Sequence, residues 1–172
     1  QFIDVLIPRL YKLKMHQLEN EMTHVFRELS HKRQVSRITL EKDATARLWG
    51  RDGQELDFDK SAGESQIFAT TLLAALANIS GADAPLVVDT PLGRLDSLHR
   101  ENILRFWTRD SDRQVILLSQ DEEIDATQYQ RLKPSILKSY LLVHRDMGNG
   151  IGQTTAHEGY FGEDNGHAVR YE

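Results

Sequence analysis

Two short apolar runs, Leu86-Val87-Val88 and Val115-Ile116-Leu117-Leu118, flank a stretch with helical spacing, and this order constrains the chain more than anything else in it. Each run suits a strand buried on both faces. Strand, helix and strand in succession predict parallel neighbours joined by a right-handed crossover. The expected class is α/β, with ligands bound outside the carboxyl ends of the parallel strands.

The rest of the chain builds around that unit. Residues 62–79 predict a strong helix, with Ile67, Phe68, Leu72, Leu73, Leu76 and Ile79 on one face. Gly81 follows, where a left-handed cap belongs. Residues 97–108 predict a helix capped by Asp96 or Ser97. Val35, Arg37, Thr39 and Glu41 alternate with Ser36, Ile38, Leu40 and Lys42, which predicts a strand. Ala46–Trp49 and Glu55–Phe58 are second and third strands around an Asp52-Gly53 turn. A short helix is expected after Asp125. Ser139–His144 and Thr154–Phe161 read as a hairpin or two edge strands, and the tail from Gly162 as loose.

Residues 9–30 predict a helix begun by Pro8. Tyr11, Met15, Leu18, Met22, Val25 and Leu29 fall on an a/d seam. Under three heptads, the seam fits a coiled-coil arm or a helix lying on its own domain.

The chain has 172 residues, enough for one domain with a sizeable core. No apolar run approaches the roughly 20 residues of a membrane-spanning helix. The sequence has no cysteine, which excludes disulfide frameworks and thiolate metal sites. Charge is uneven. Residues 1–51 carry ten basic and six acidic residues, net +4, and residues 52–172 carry eleven and twenty, net −9. This is not the basic footprint of a general nucleic-acid binder. A patch through Lys32, Arg33, Arg37 and Arg47 is either a solvated face or a phosphate contact.

Three segments carry chemistry. Ser61-Ala62-Gly63-Glu64, behind Lys60, opens the strongest helix. Ser61 and Glu64 have capping-box spacing, and the same helix start suits a phosphate. Asp89 closes the first apolar run, and Thr90-Pro91 and Leu95-Asp96 follow. A strand ending in Asp is one way to hold nucleotide-bound magnesium; such an Asp equally caps a turn. Ser119-Gln120-Asp121-Glu122-Glu123 closes the second run. It is either a polar loop or a group beside Asp89 at the strand ends.

This succession resembles the C-terminal lobe of ABC-type ATPase heads, and more narrowly the chromosome-maintenance (SMC-like) and double-strand-break-repair branch, whose heads are joined by long coiled coils. Ser61-Ala62-Gly63-Glu64 resembles the signature, Asp89 the Walker B aspartate, Leu95-Asp96 the D-loop and Ser119-Gln120-Asp121 the switch. The stretch from Asp89 to Ser97, with Arg100 after it, resembles a narrower group, the DndD-like ATPases of bacterial DNA phosphorothioate modification. The motifs lie within about residues 55–125.

The resemblance implies a fold and a mechanism. The fold is the C-terminal lobe of a P-loop ABC-type head, with parallel strands, a small β region and a helical arm. Residues 1–31 are then a coiled-coil stub, 32–161 the lobe and 162–172 a flexible tail. Two heads sandwich two ATP molecules. Ser61, Ala62 and Gly63 face the terminal phosphate held by the partner, Glu64 orients the signature, Asp89 supports Mg and Asp96 acts across the dimer. Two positions depart from the pattern. Thr90 stands where the general base is usually Glu, and a Thr hydroxyl cannot take a proton at neutral pH as a carboxylate does. Gln120 stands where the switch is usually His, and Gln positions water without being a base. Glu122 or Glu123 is an alternative carboxylate.

The sequence holds no G-x-x-x-x-G-K-[ST] segment. The phosphate loop is therefore expected on an N-terminal lobe outside this chain, and the chain alone is expected to be inactive. The implied partners are that lobe, a second head, DNA and the sulfur-modification proteins, with no membrane. A cytoplasmic setting is expected from the absent signal and cysteines. Three other readings stand beside this one: a DNA-repair head fragment, a non-catalytic partner-binding lobe, and a flavodoxin-like or nuclease-like domain using Asp89, Asp96 and Asp121 for metal.

Overall fold

A computed structural model describes residues 2–30, 34–43, 45–57, 61–82, 84–93, 95–109, 113–120 and 122–161. Phe58, Lys60, Lys32, Arg33, Arg94, Asp121 and the tail from Gly162 lie outside the described residues. The chain forms two compact units, residues 1–107 with 111–119, and residues 108–110 with 120–172.

The first unit opens with α1 (Phe2–Leu29). This helix begins earlier than the proline suggested, and Pro8 lies inside it. The backbone bond that proline forfeits falls in a stretch whose side chains are all exposed, where water can satisfy the abandoned carbonyl. The a/d seam divides in two. Leu18, Met22, Val25 and Leu29 are buried, while Tyr11 is 57% exposed. The second half lies on its own domain, and the first half presents Phe2, Ile3, Val5 and Ile7 to solvent.

A three-stranded antiparallel sheet follows, in the order β1 (Val35–Leu40), β2 (Ala46–Gly50) and β3 (Glu55–Leu56). β1 is an edge strand, and α1 covers its outward backbone with side chains. Glu19 Oε1 accepts from Leu40 N at 2.8 Å and Thr23 Oγ1 from Ile38 N at 2.9 Å. Arg27 Nε donates to the Val35 carbonyl at 3.1 Å, and its Nη2 to the Ser36 carbonyl. The two spacings match because four helical residues rise about 6 Å and two strand residues about 6.8 Å. The predicted basic face is partly spent. Arg47 is held by Glu41 at 2.6 Å and Glu55 at 2.8 Å, bonds that raise its affinity for its proton. Arg37 lies over the Trp49 ring, 5.2 Å from its centroid.

α2 (Ala62–Ser80) packs on α1. Its buried face is Ile67, Thr70, Thr71, Ala74 and Ala75, whereas Leu73 and Leu76 are 39% and 45% exposed. Small residues, rather than the leucine stripe, make up most of that face. Gly81 closes α2 with φ of +65°. Arg113 Nη2 donates to the carbonyls of Ala77 at 2.7 Å and Ala82 at 3.2 Å, covering the negative helix end.

β4 (Leu86–Asp89) and β5 (Val115–Leu118) pair in parallel, with Asp89 opposite Leu118, and α3 (Ser97–Thr108) lies between them in sequence. One expectation fails. These strands are not buried on both faces. Val88 is buried, but Val87, Ile116 and Leu118, on the opposite face, are 53%, 39% and 44% exposed. The sheet has two strands, and the described residues leave its second face largely open. Leu92, Leu95, Ile103, Leu104, Phe106 and Trp107 are buried and anchor the connection.

The second unit holds α4 (Ala126–Leu132), a 3-10 turn at Lys133–Ser135, and an antiparallel hairpin of β6 (Tyr140–Asp146) and β7 (Gly152–Glu158). Asp125 caps α4 in a full capping box with Gln128. Gly148, Asn149 and Gly150 turn the hairpin at φ of +81°, +54° and +73°. Tyr129 stacks on Tyr160 at 5.1 Å, and Phe161 meets both rings edge-on.

Candidate functional site

Ser61 stands at the N-cap of α2 and accepts from Glu64 N at 3.2 Å. Capping and an accessible helix start coexist, because Ser61 and Ala62 are exposed and Gly63 and Glu64 half-buried. The dipole of a 19-residue helix ends here.

Asp89 ends β4 with an exposed side chain. Thr90 continues the parallel ladder, donating from its N–H to the Leu118 carbonyl at 2.8 Å. It then departs from ordinary geometry, with φ of +45°. For a β-branched residue before proline this is an outlier, and sparsely populated backbone states cost about 1–3 kcal/mol. Gln66, just past the first turn of α2, bonds to both carbonyls of the bend, Thr90 at 3.2 Å and Pro91 at 2.6 Å. The structure thus brings the Ser61–Glu64 turn and the Asp89–Thr90 strand end into one connected group. Sequence reasoning did not single out Gln66, and nothing in the local pattern marks it; its part follows from the loop it reaches.

Asp96 caps α3. Its Oδ1 accepts from His99 N at 2.9 Å, and its Oδ2 lies 2.8 Å from His99 Nδ1. Arg100 braces the same loop by donating from Nε to the Leu95 carbonyl at 2.9 Å.

Gln120 belongs to the second unit. Its N–H donates to Glu123 Oε2 at 3.0 Å, and Tyr160 Oη approaches its carbonyl at 3.5 Å. Glu123 is 4% exposed, whereas Glu122 is open to solvent. The buried carboxylate shapes the turn that carries Gln120.

Among the described residues, no three His, Asp or Glu side chains are placed to hold a metal ion. Asp89, an exposed carboxylate at a strand end, is an oxygen donor of the type magnesium takes.

No family model and no curated protein matches the sequence. Solved structures do match in fold. One, described under ATP-driven dimerization and DNA-stimulated activation of SMC ATPases, superposes with a TM-score of 0.60 at 14% identity over 86% of this chain and 88% of its own. The Smc head domain of Pyrococcus furiosus, with an extended coiled coil and bound to the C-terminal domain of ScpA, gives 0.58 at 13% over 87% of this chain. The Smc head of Pyrococcus yayanosii, with a coiled coil and joint, gives 0.61 at 13% over 90%. The chain spans 37% and 29% of those two Smc chains. At this identity the likeness shows the fold, which is that of part of an SMC ATPase head. No helix among the described residues is long and apolar enough to cross a membrane.

Proposed function

We propose that the chain is the C-terminal lobe of an SMC-like ATPase head, working by ATP-dependent dimerisation of two heads. One observation carries the reading: within an SMC-head fold, an exposed helix start is tied to an exposed carboxylate at a parallel strand end. In this reading residues 1–31 are the root of a coiled-coil arm and 32–161 the lobe. Ser61, Ala62 and Gly63 meet the terminal phosphate of an ATP seated on the other head, where the N–H groups and dipole of α2 favour negative charge. Glu64 steadies that turn. Magnesium, when bound, neutralises charge developing on the phosphates. Asp89 supplies one of its ligands. Asp96, rigid at the start of α3, contacts the opposite site, and Gln120 orients the attacking water.

The exposed faces fit an incomplete head. Val87, Ile116 and Leu118 offer a surface for the strands of an N-terminal lobe, and the apolar first half of α1 a surface for a second helix. DNA is a partner in this reading. The narrower proposal is bacterial DNA phosphorothioate modification, with the sulfur-modification proteins as partners, and it rests on the Asp89–Ser97 stretch with Arg100.

The test uses a protein that joins this chain to its N-terminal lobe. Ser61→Arg should abolish ATP-dependent dimerisation, read by sedimentation, while leaving the circular dichroism spectrum unchanged. Undiminished dimerisation would sink the signature assignment. Asp89→Asn should lower magnesium-dependent turnover by at least about a hundredfold.

A further inference from the structure

Gln66 is a physical link between the start of α2 and the end of β4. One nitrogen, Nε2, donates to two successive carbonyls, 3.2 Å from that of Thr90 and 2.6 Å from that of Pro91. The two N–H bonds of an amide nitrogen can serve one carbonyl each. A glutamate of the same shape would set a carboxylate against two carbonyl oxygens. The bend so held is one the chain does not adopt freely, because Thr90 is β-branched, precedes Pro91 and has φ of +45°. The bend is also anchored by the Thr90 N–H on the Leu118 carbonyl and by the fully buried Leu92.

We infer that Gln66 is a positioning residue that holds Thr90 in its left-handed conformation and couples the strand end to the helix start facing the other head's nucleotide. The clamp stands on geometry. Its consequence rests on the ATPase reading above.

A double-mutant cycle on the chain itself tests the clamp. Thr90→Gly removes the steric cost of positive φ. With Gln66 present it should raise the thermal midpoint by about 2–4 °C. With Gln66→Ala the bend relaxes, and Thr90→Gly should leave the midpoint unchanged or lower it. Gln66→Ala and Gln66→Glu should both speed hydrogen exchange at the Thr90 amide about tenfold or more, with Ile67 and Thr71 unchanged. An equal gain from Thr90→Gly in both backgrounds, or unaltered exchange at Thr90, overturns the clamp.

The coupling is tested in the two-lobe protein. Gln66→Ala should lower kcat for ATP about tenfold at constant KM, because the nucleotide binds chiefly to the other lobe. A change confined to KM overturns the coupling. Dimerisation that survives Ser61→Arg overturns the signature assignment on which the coupling rests, and that result is independent of the cycle.

Discussion

Glu123 is a carboxylate whose burial assigns it a local task. Its Oε2 accepts the Gln120 N–H at 3.0 Å, and the residue is 4% exposed. A hydrogen bond to a charged group contributes about 1.5–3 kcal/mol. Glu123→Ala should lower unfolding stability by that amount in urea titration, and Glu122→Ala, at an exposed position, should change it little. Were Glu123 only a surface acid, both variants would unfold alike. Ser61 caps α2 and, in the proposed function, also meets a phosphate. Ser61→Ala removes the cap on Glu64 N and should cost about 1 kcal/mol. Ser61→Asp keeps an acceptor there and should retain stability, while its charge repels the phosphate that the proposed function places nearby. A dimerisation assay alongside a melting curve separates the two roles. The candidate residues were legible one by one, since cap spacing, strand-end Asp and turn chemistry are local signals. Gln66 was not, because its partners lie 24 and 25 residues away and no local rule encodes a side-chain amide crossing to a bend.

Element by element, the sequence is informative wherever local chemistry decides. Gly81 ends α2, Asp125 starts α4 and the Gly148-Asn149-Gly150 turn reverses the hairpin, as capping and turn rules require. The β4–β5 pair was legible as parallel from two apolar runs around a helix. Faces were less legible. Leucines mark the apolar stripe of α2, yet the buried face includes Ala74 and Ala75, which a hydrophobicity count undervalues. Pro8 does not mark a boundary, because a solvated helix tolerates one missing bond. The C-terminal end of α2 offers a test at this scale. Arg113 bonds the Ala77 carbonyl in its last turn and the Ala82 carbonyl just past its cap, so Arg113→Ala should cost about 1 kcal/mol. Gly81→Ala, forced to hold φ of +65°, should cost about as much. Both are readable as urea midpoints at constant slope. A larger loss from Arg113→Lys than from Arg113→Ala would contradict the capping account.

For the molecule as a whole, exposed apolar surface sets behaviour in solution. Phe2, Ile3, Val5 and Ile7 on α1 and Val87, Ile116 and Leu118 on β4–β5 are apolar groups left facing water. The purified chain should therefore self-associate as concentration rises, and Val87→Thr with Ile116→Thr should weaken that association in sedimentation velocity. It should hydrolyse ATP no faster than a buffer control, since its sequence contains no phosphate loop. Robust magnesium-dependent turnover by the chain alone would refute that expectation. One last consequence belongs to the way α1 lies along β1. Glu19, Thr23 and Arg27 engage Leu40, Ile38 and Ser36 like the teeth of a rack. A slip of one helical residue, about 1.5 Å with a turn of about 100°, would disengage every tooth together. Torque applied along the helix thus meets a threshold rather than a spring: the sheet follows rigidly until the whole row lets go.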